Sequence, residues 1–303
     1  MPKASIDGPG STLAADGITL RGRPLRWGQR TLIMAILNVT PDSFSGDGLA
    51  RPGWKAVDAA LARAEAMVAD GADILDVGGE STRPGSEPVP ADEEIARVVP
   101  VIAALRAAFD VPISVDTAKA SVAHAAIDAG ADMVNDVWAL AADPAMAAVV
   151  AAAGVPIVLM HNRQARATTA ATVGGHYGDV RYDDVVAAVC GALLERVDVA
   201  VAAGIDPSSI VLDPGIGFGK TPAQNLELLD RTDELRALGY PVLVGPSRKS
   251  FIGQALGLPP EDRVEGTAAA VAVAITRGAD IVRVHDVRAM VRVARMTDAI
   301  VRR

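Results

Sequence analysis

The feature that most constrains the fold is a repeated alternation of short apolar runs and longer helical segments. Eight apolar runs of strand length each end in polar residues or glycine, and apolar residues at helical spacing follow each run. Strands that alternate with helices are typical of a parallel sheet, because each return to the same end of the sheet needs a crossover. The runs are LIMAILNVT (32–40), ADILDVGGEST (72–82), VPISVDT (111–117), ADMVNDV (131–137), VPIVLMH (155–161), SIVLDPG (209–215), YPVLVGPS (240–247) and DIVRVHD (280–286).

Glycine residues mark the expected ends of six of these helices. A glycine directly after a helix adopts the left-handed conformation at little steric cost, and it turns the chain toward the next strand. Eight similar strand–helix units, with a helix last, predict an α/β fold built as a single (β/α)8 barrel. A doubly wound open sheet is the alternative that the sequence leaves open. The glycines are Gly71, Gly130, Gly154, Gly204, Gly239 and Gly278.

The first 30 residues stand outside this alternation. The segment ITLRGRPLRWG (18–28) has the pattern of a hairpin, which would close the floor of the barrel. Residues 1–18 form a predicted flexible leader, and residues 19–303 form the predicted barrel domain. The sequence therefore predicts one domain with a short N-terminal extension or hairpin.

Charge and hydrophobicity narrow the class of partner. The formal net charge is −8 and the sequence pI is about 5.1, which argues against a nucleic-acid partner. The N-terminus lacks the continuous apolar segment of a signal peptide, and Gly154 to Pro156 divide the longest charge-free run, 144–162, into a helix and a strand. Cys190, the single cysteine, lies in an apolar run and is expected to pack in the core. These features predict a cytoplasmic protein without a membrane partner.

Polar side chains stand at the carboxyl end of nearly every predicted strand. In a barrel these ends and their loops converge on one mouth, where active sites lie. Any one of them has a structural explanation: Asp116, for example, can cap the helix that follows it. Together they predict an active site. The strand-end residues are Asn38, Glu80, Ser81, Thr82, Arg83, Asp116, Asn135, Asp136, His161, Asp213, Ser247, Arg248, Lys249, Arg283, His285 and Asp286.

Two chemistries are mixed at these strand ends. Asp116, Asn135 and Asp213 suit the edge of a flat, nitrogen-rich ring, because a carboxylate accepts two parallel N–H bonds in a fixed geometry. Cations that gather at one mouth of an acidic protein suit a multiply charged anion and its metal. The pattern predicts a heterocycle that carries a phosphate. The residues suited to the anion and metal are Asn38, Arg83, Arg283 and His285.

The run LDPGIGFGKT (212–221) ends like a nucleotide-binding P-loop. A P-loop needs a glycine, four free positions and then Gly-Lys-Ser/Thr, so that consecutive backbone N–H groups surround the phosphates. Gly219, Lys220 and Thr221 fit, but Pro214 stands where the first glycine is needed. Proline has no N–H and a restricted φ, and the P-loop interpretation therefore fails.

Seven motifs, in order from about Thr31 to the C-terminus, resemble the dihydropteroate synthase family. The resemblance implies a TIM barrel enzyme, a transferase of the folate pathway that joins (7,8-dihydropterin-6-yl)methyl diphosphate to 4-aminobenzoate. It also implies release of pyrophosphate with Mg²⁺, and a homodimer. The motifs are ILNVTPDSFSGDG, DVGGESTRPGSEPV, SVDT, MVNDVWAL, LDPGIGFGKT, GPSRKSFIG and RVHDV.

The resemblance also implies roles for individual residues. Asp213 would pair with the amino-pyrimidine edge of the pterin and Lys249 with its carbonyl side, and Asn38 would lie near Mg²⁺ and the diphosphate. The implied pterin contacts are Asp116, Asn135, Asp213 and Lys249, and the implied diphosphate contacts are Arg83, Arg283 and His285. The aminobenzoate site would be shaped by Thr82, Pro84, Phe218 and Ser250. The implied catalytic residues are Asp116, Lys249, Arg283 and His285.

One segment departs from the family pattern, and two other functions stay open. After IVLMH the chain continues with NRQARATTAATVGGHYGDV, for which no role is predicted, and the leader before Leu20 has no match. A methyltetrahydrofolate-dependent methyltransferase would share the strand-end Asp and Asn residues, but it has no reason to keep ESTRPG and SRKS. A non-catalytic paralogue that only binds pterin is the other alternative, although it would not need the leaving-group residues.

Overall fold

The strands of the structure coincide with the predicted apolar runs. This computed structural model describes residues 17–40, 54–81, 88–163 and 182–302. The strands are β1 (Gly17–Leu20), β2 (Arg23–Arg26), β3 (Leu32–Asn38), β4 (Ile74–Gly78), β5 (Ile113–Asp116), β6 (Met133–Asp136), β7 (Ile157–Met160), β8 (Ile210–Asp213), β9 (Leu243–Val244) and β10 (Ile281–Val284).

Helices follow the strands β3 to β10 in turn. All six glycines predicted at helix ends have positive φ, between 65° and 111°. At the N-terminus of α6 the Thr221 hydroxyl and the Gln224 side chain form a reciprocal capping box, which satisfies two backbone N–H groups. The helices are α1 (Trp54–Ala69), α2 (Ala91–Ala108), α3 (Ala120–Asp128), α4 (Met146–Ala153), α5 (Val185–Ala202), α6 (Pro222–Asp230), α7 (Thr232–Arg236), α8 (Ser250–Leu256), α9 (Val264–Thr276) and α10 (Val287–Val301).

The parallel sheet closes on itself. Within the described residues, eight strands are hydrogen-bonded in the order β8-β7-β6-β5-β4-β3-β10-β9. The outer strands β8 and β9 also meet, because Leu212 forms a parallel bridge with Val242 and donates its N–H to the Pro241 carbonyl at 2.9 Å. A doubly wound sheet would reverse its strand order at a switch point and keep two free edges. The predicted (β/α)8 barrel is therefore confirmed, and the open sheet is excluded.

Alternate residues of each strand face the barrel interior. In β3, Leu32 and Met34 belong to a buried cluster of strand residues, whereas Ile33 and Ala35 pack with the surrounding helices. This separation follows from the two-residue period of a strand. Because the same period continues along β3, Asn38 also faces the interior, at the upper end. The interior cluster at the lower end consists of Leu32, Met34, Ile74, Met133, Val158, Val211, Leu243 and Ile281.

The N-terminal hairpin covers the lower end of the barrel. Strands β1 and β2 pair antiparallel, and Leu25 and Trp27 pack against the interior cluster. The predicted hairpin is thus confirmed, although most of the predicted leader lies outside the described residues and the boundary after residue 18 stays a prediction. Cys190 is half-buried against the core on α5. In the described part of the chain, no helix combines the length and apolarity that a membrane crossing requires.

Candidate active site

Four interior positions lie side by side at the upper ends of neighbouring strands. The sheet register pairs Asn38 with Gly78, Gly78 with Asp116, and Asp116 with Asn135. Each residue lies at or next to the carboxyl end of its strand, and the two-residue period points all four inward. Gly78 leaves room between its neighbours, since a Cβ at this position would lie 3.5 Å from the Asp116 Cβ and 3.6 Å from Asn38 Oδ1. The register therefore forms one continuous polar row across β3 to β6.

Arg283 ties this row to a deeper carboxylate. From β10 its Nη2 bonds Asp116 Oδ2 at 2.5 Å, and its Nε bonds Asp76 Oδ2 at 2.6 Å. The same Asp76 oxygen accepts a hydrogen bond from Asn135 Nδ2 at 3.1 Å. Asp76 was not among the residues predicted from the sequence, because it lies in the middle of β4 and not at a strand end. The available signal was a single carboxylate at an inward-facing position of the otherwise apolar strand ILDVG.

Burial raises the pKa of two of the predicted carboxyl groups toward neutral pH. Burial raises the pKa of Asp116 to about 7, the guanidinium of Arg283 opposes this rise, and the charge of Asp76 adds to it. Burial likewise raises the pKa of Asp213 to about 6, opposed by the hydrogen bond from the Gly215 N–H and by the charge of Lys249. A carboxyl group with a pKa near 7 changes charge within the physiological range, and such groups cluster at functional sites.

The segment LDPGIGFGKT forms a compact turn around Lys220. Its ammonium is buried and donates to the carbonyls of His161, Gly215 and Phe218 at 3.2, 2.9 and 3.0 Å. Burial lowers the pKa of Lys220 to about 7. In a P-loop this lysine would reach the phosphates; here it holds the turn together, in agreement with the failure of the P-loop interpretation. At the start of the turn, Gly215 donates its N–H to Asp213 Oδ1 at 2.7 Å and orients that carboxylate.

The tip of this turn forms an apolar wall beside a cation. Phe218 packs with Val137, Met160 and Trp138. The Lys249 ammonium lies over the Phe218 ring, 4.0 Å from its centroid, a distance at which a cation is attracted to the ring face. Ser250 follows as the first, exposed residue of α8. The structure thus brings three of the predicted residues, Phe218, Lys249 and Ser250, to one side of the mouth.

His285 lies at the mouth as a neutral imidazole. Its backbone N–H and its ring Nδ1 are each 3.1 Å from Ser247 Oγ. Burial lowers the pKa of His285 to about 3, and the charges of Arg283 and Arg248 lower it further. The sequence predicted His285 among the cations that meet an anion. In this structure the ring would meet the anion uncharged, because a buried imidazole beside two guanidinium groups does not hold a proton near pH 7.

Some strand-end residues have structural partners. Asp136 accepts hydrogen bonds from the N–H groups of Trp138 and Leu140 at 2.9 and 2.7 Å, and so it caps its own turn. Arg248 forms an ion pair with Asp286, with two contacts of 2.9 and 2.5 Å. These residues shape the mouth, but their polar groups are already satisfied.

A cluster of ion pairs lies just after the carboxyl end of β4. Lys119 bonds the carboxylates of both Glu80 and Glu94, and Glu94 is 1% exposed. Arg97 donates to the Gly79 carbonyl at 2.8 Å. This cluster lies directly before the segment with three of the predicted site residues, and the sequence did not reveal it. Those residues, Thr82, Arg83 and Pro84, lie outside the described residues.

This α/β barrel carries buried carboxylates, an amide and cations at its mouth. Its residues 34–285 match the family described as pterin binding enzyme, so the protein is an enzyme of the pterin-binding class. The chain is also 50% identical over 275 residues to the dihydropteroate synthase of Bacillus subtilis strain 168, a match that covers 91% of this chain and 90% of that relative. It therefore belongs to the dihydropteroate synthase family. The resemblance that the motifs carried is confirmed.

Two solved structures share this fold at high sequence identity. The dihydropteroate synthase of Clostridium difficile, solved in the presence of pteroic acid, is 47% identical with a TM-score of 0.83, and the match covers 91% of this chain and 99% of that one. The Xanthomonas albilineans enzyme with 4-aminobenzoic acid is 46% identical with a TM-score of 0.82, over 92% and 96% of the two chains. These similarities confirm the fold and the family, while the role of each site residue stays a prediction.

Proposed function

We propose that the chain condenses (7,8-dihydropterin-6-yl)methyl diphosphate with 4-aminobenzoate to give 7,8-dihydropteroate and pyrophosphate. The observation that carries this proposal is the position of Lys249. Its ammonium lies on the Phe218 ring, and its charge also acts on the buried Asp213 carboxylate. Lys249 thus lies beside both parts of the site. The acidic pocket with Asp213 suits a nitrogen-rich ring, and the apolar wall with Phe218 suits a benzene ring. The two relatives were solved in the presence of pteroic acid and with 4-aminobenzoic acid, compounds that contain these ring types.

The carboxylates are proposed to bind the pterin. Asp213 accepts the Gly215 N–H through Oδ1 and is proposed to pair with the amino-pyrimidine edge of the ring. Asp116 and Asn135 lie next to each other in the sheet register and offer further polar atoms along the same ring. A carboxyl group accepts two parallel N–H bonds through both oxygens only when it is ionised, so the raised pKa values of Asp116 and Asp213 make binding dependent on pH.

Substitution at the pterin methylene carbon is proposed to be dissociative. The C–O bond to the diphosphate breaks, its electron pair leaves with the diphosphate, the amine lone pair of aminobenzoate forms the new C–N bond, and the amine nitrogen then releases one proton to solvent. Two carboxylates, Asp76 and Asp116, share the single guanidinium of Arg283. With both carboxylates ionised this group carries net negative charge, which would stabilise positive charge that develops on the pterin. An arylamine is neutral at pH 7 and needs no strong base in order to attack.

Magnesium is proposed as the counter-ion of the diphosphate. No group of three or more acidic, histidine or cysteine side chains in the described ranges is arranged to bind a metal. The predicted metal contact is a single amide oxygen, that of Asn38. Such a sparse contact fits Mg²⁺, because Mg²⁺ commonly keeps waters, takes few protein ligands and binds substrate phosphates. Asn38, with its amide oxygen at the mouth beside Asp116, would hold the ion. When bound, Mg²⁺ neutralises the diphosphate and makes it a better leaving group.

A pyrophosphate-release assay with both substrates tests the proposed function. Release should require both substrates and should stop on treatment with a chelator, then return when Mg²⁺ is added. Pterin binding without any release would favour the non-catalytic alternative.

Two variants distinguish the proposed pterin part of the site from the proposed aminobenzoate part. Lys249→Ala should weaken pterin binding roughly 10- to 100-fold, since it removes a charged partner, whereas Phe218→Ala should raise mainly the KM for 4-aminobenzoate.

The remaining expectations concern assembly and location. A homodimer and a cytoplasmic location, both predicted from the sequence, are included in the proposal. Light scattering on the purified protein would test the dimer, and a monomeric mass at micromolar concentration would contradict it.

A further inference from the structure

Asp76 is a carboxylate inside the barrel, one layer below the polar row at the mouth. It lies two residues before Gly78 on β4, with Ile36 and Ser114 as its register neighbours. Its exposed fraction is 0%. A charge this deep is costly unless it has both a counter-charge and hydrogen bonds. Its described contacts all fall on Oδ2, while Oδ1 has no hydrogen-bond partner among the described residues, so the partners of Oδ2 are strongly constrained.

A single oxygen of Asp76 holds two residues of the proposed pterin site. Oδ2 accepts from Arg283 Nε at 2.6 Å and from Asn135 Nδ2 at 3.1 Å. A carboxylate ion-paired to a guanidinium can only accept hydrogen bonds, so the amide of Asn135 must turn its NH₂ group toward Asp76. The carbonyl Oδ1 of Asn135 is thereby held on the opposite side of the amide.

That carbonyl oxygen is buried and unused within the described residues. Asn135 is 2% exposed, and its Oδ1 has no hydrogen-bond partner in the described part of the chain. Buried amide oxygens are normally hydrogen-bonded, and an exception calls for an explanation. A ligand N–H group would satisfy it. Together with Asp116, its neighbour in the sheet register, and Asp213 at the end of β8, this oxygen presents acceptors to the ligand, as an N–H-rich heterocycle requires.

We propose that Asp76 is a positioning residue for the pterin site. It fixes the orientation of the Asn135 amide, so that the ring meets an acceptor oxygen, and it fixes the guanidinium of Arg283 against Asp116. Without the charge of Asp76, the amide of Asn135 is free to rotate by 180° and to present its NH₂ group. The NH₂ group of Asn135 and an N–H group of the ligand, both donors, would then face each other in the pocket. This inference rests on the proposed function, because it assigns Asn135 to pterin binding.

The rival explanation is that Asp76 serves only folding, and the chain offers a matched control for it. Asp280 is also a buried carboxylate, 1% exposed, and its Oδ2 lies 3.2 Å from Arg236 Nε and accepts from the Val242 N–H at 3.0 Å. It precedes β10 at the opposite end of the barrel from the mouth. Its neutralisation should lower stability without affecting the site.

Asp76→Asn and Asp280→Asn are compared by steady-state kinetics and thermal unfolding. In Asp76→Asn the KM for the pterin diphosphate should rise about tenfold or more, because a mispaired buried polar group weakens binding by this order. The KM for 4-aminobenzoate should stay within about threefold, less than one such polar mismatch would produce. Asp280→Asn should leave both KM values unchanged while its melting temperature falls. An unchanged pterin KM in folded Asp76→Asn would overturn the inference, as would equal rises in both KM values.

Two further variants test that Asp76 acts through Asn135. Binding of the pterin compound should weaken less when Asp76→Asn is added to Asn135→Ala than when it is added to the unaltered chain, and additive losses would count against the inference. Asp76→Glu keeps the charge but moves it, and it should also raise the pterin KM selectively; it replaces Asp76→Asn if that variant does not fold. If the unaltered chain releases no pyrophosphate, the proposed function itself fails. An active enzyme with an unaffected Asp76→Asn variant would refute only the positioning role.

Discussion

Replacement of Lys119 by methionine should destabilise the protein strongly, although the residue is not expected to touch a substrate. Lys119 pairs with both Glu80 and Glu94 at the exit of β4. Burial lowers the pKa of Lys119, but the two carboxylates outweigh this effect and leave the pKa above its ordinary value. Methionine has a similar length and no charge, so the variant removes the ion pairs without opening a large cavity.

The size of the effect follows from the burial of the two carboxylates. Glu94 is 1% exposed, and its Oε1 has no hydrogen-bond partner among the described residues even with Lys119 present. Removal of one partner from a buried ion pair typically costs about 3–5 kcal/mol. Glu80 is 30% exposed, and its contact should add no more than about 1 kcal/mol. The two terms together give about 3–6 kcal/mol. For a chain of this size, about 2 °C per kcal/mol gives a melting temperature lower by about 6–12 °C.

Urea unfolding with linear extrapolation measures this loss, together with thermal unfolding. Arg277→Met is the control, because Arg277 and Asp230 form an exposed pair with side chains 44% and 67% accessible. It should change the free energy of unfolding by less than about 1 kcal/mol. Glu94→Gln in the Lys119→Met background should recover at least half of the loss, since it removes the unpaired buried charge. If Lys119→Met loses no more stability than Arg277→Met, or if Glu94→Gln recovers nothing, the reasoning is refuted.

Two further predictions concern the mouth. Burial raises the pKa of Asp116 to about 7 and of Asp213 to about 6. Protonation turns one oxygen of each carboxyl group from an acceptor into a donor, so kcat/KM for the pterin compound should fall as the pH drops through this window. A flat profile down to about pH 5 would contradict this. Gly215→Ala should abolish pterin binding and lower stability, because at φ 67° its Cβ would lie 1.9 Å from the His161 carbonyl oxygen. Gly239→Ala, at φ 89° with open space around the Cβ, should cost only the backbone strain, about 1–2 kcal/mol.

The fold was largely readable from local sequence patterns. Each apolar run became a strand, because β-branched and aliphatic residues in short runs satisfy the buried positions of a parallel sheet. The glycines at helix ends were equally readable, since only a residue that tolerates positive φ ends a helix in this way. Closure of the sheet was less certain, because the contact between Leu212 and Val242 joins strands whose pairing depends on all the others.

The site was partly readable for the same local reason. In a barrel the carboxyl end of every strand faces the mouth. Such ends carry Asp116, Asn135 and Asp213. Asp76 escaped notice, because its significance depends on Arg283, which lies 207 residues further along the chain. Lys119 escaped notice in the same way, because Glu94 reaches it from a different helix.

The sequence by itself determined the local conformations, the inward or outward direction of each strand residue and the family. Only the tertiary structure decided which charges neutralise one another and which side chains change their protonation. His285 is neutral because burial and two guanidinium groups act on it together, and Asp116 titrates near pH 7 because burial opposes its charge. Desolvation and Coulomb interactions depend on distances between residues far apart in the chain, and those distances exist only when the barrel is closed.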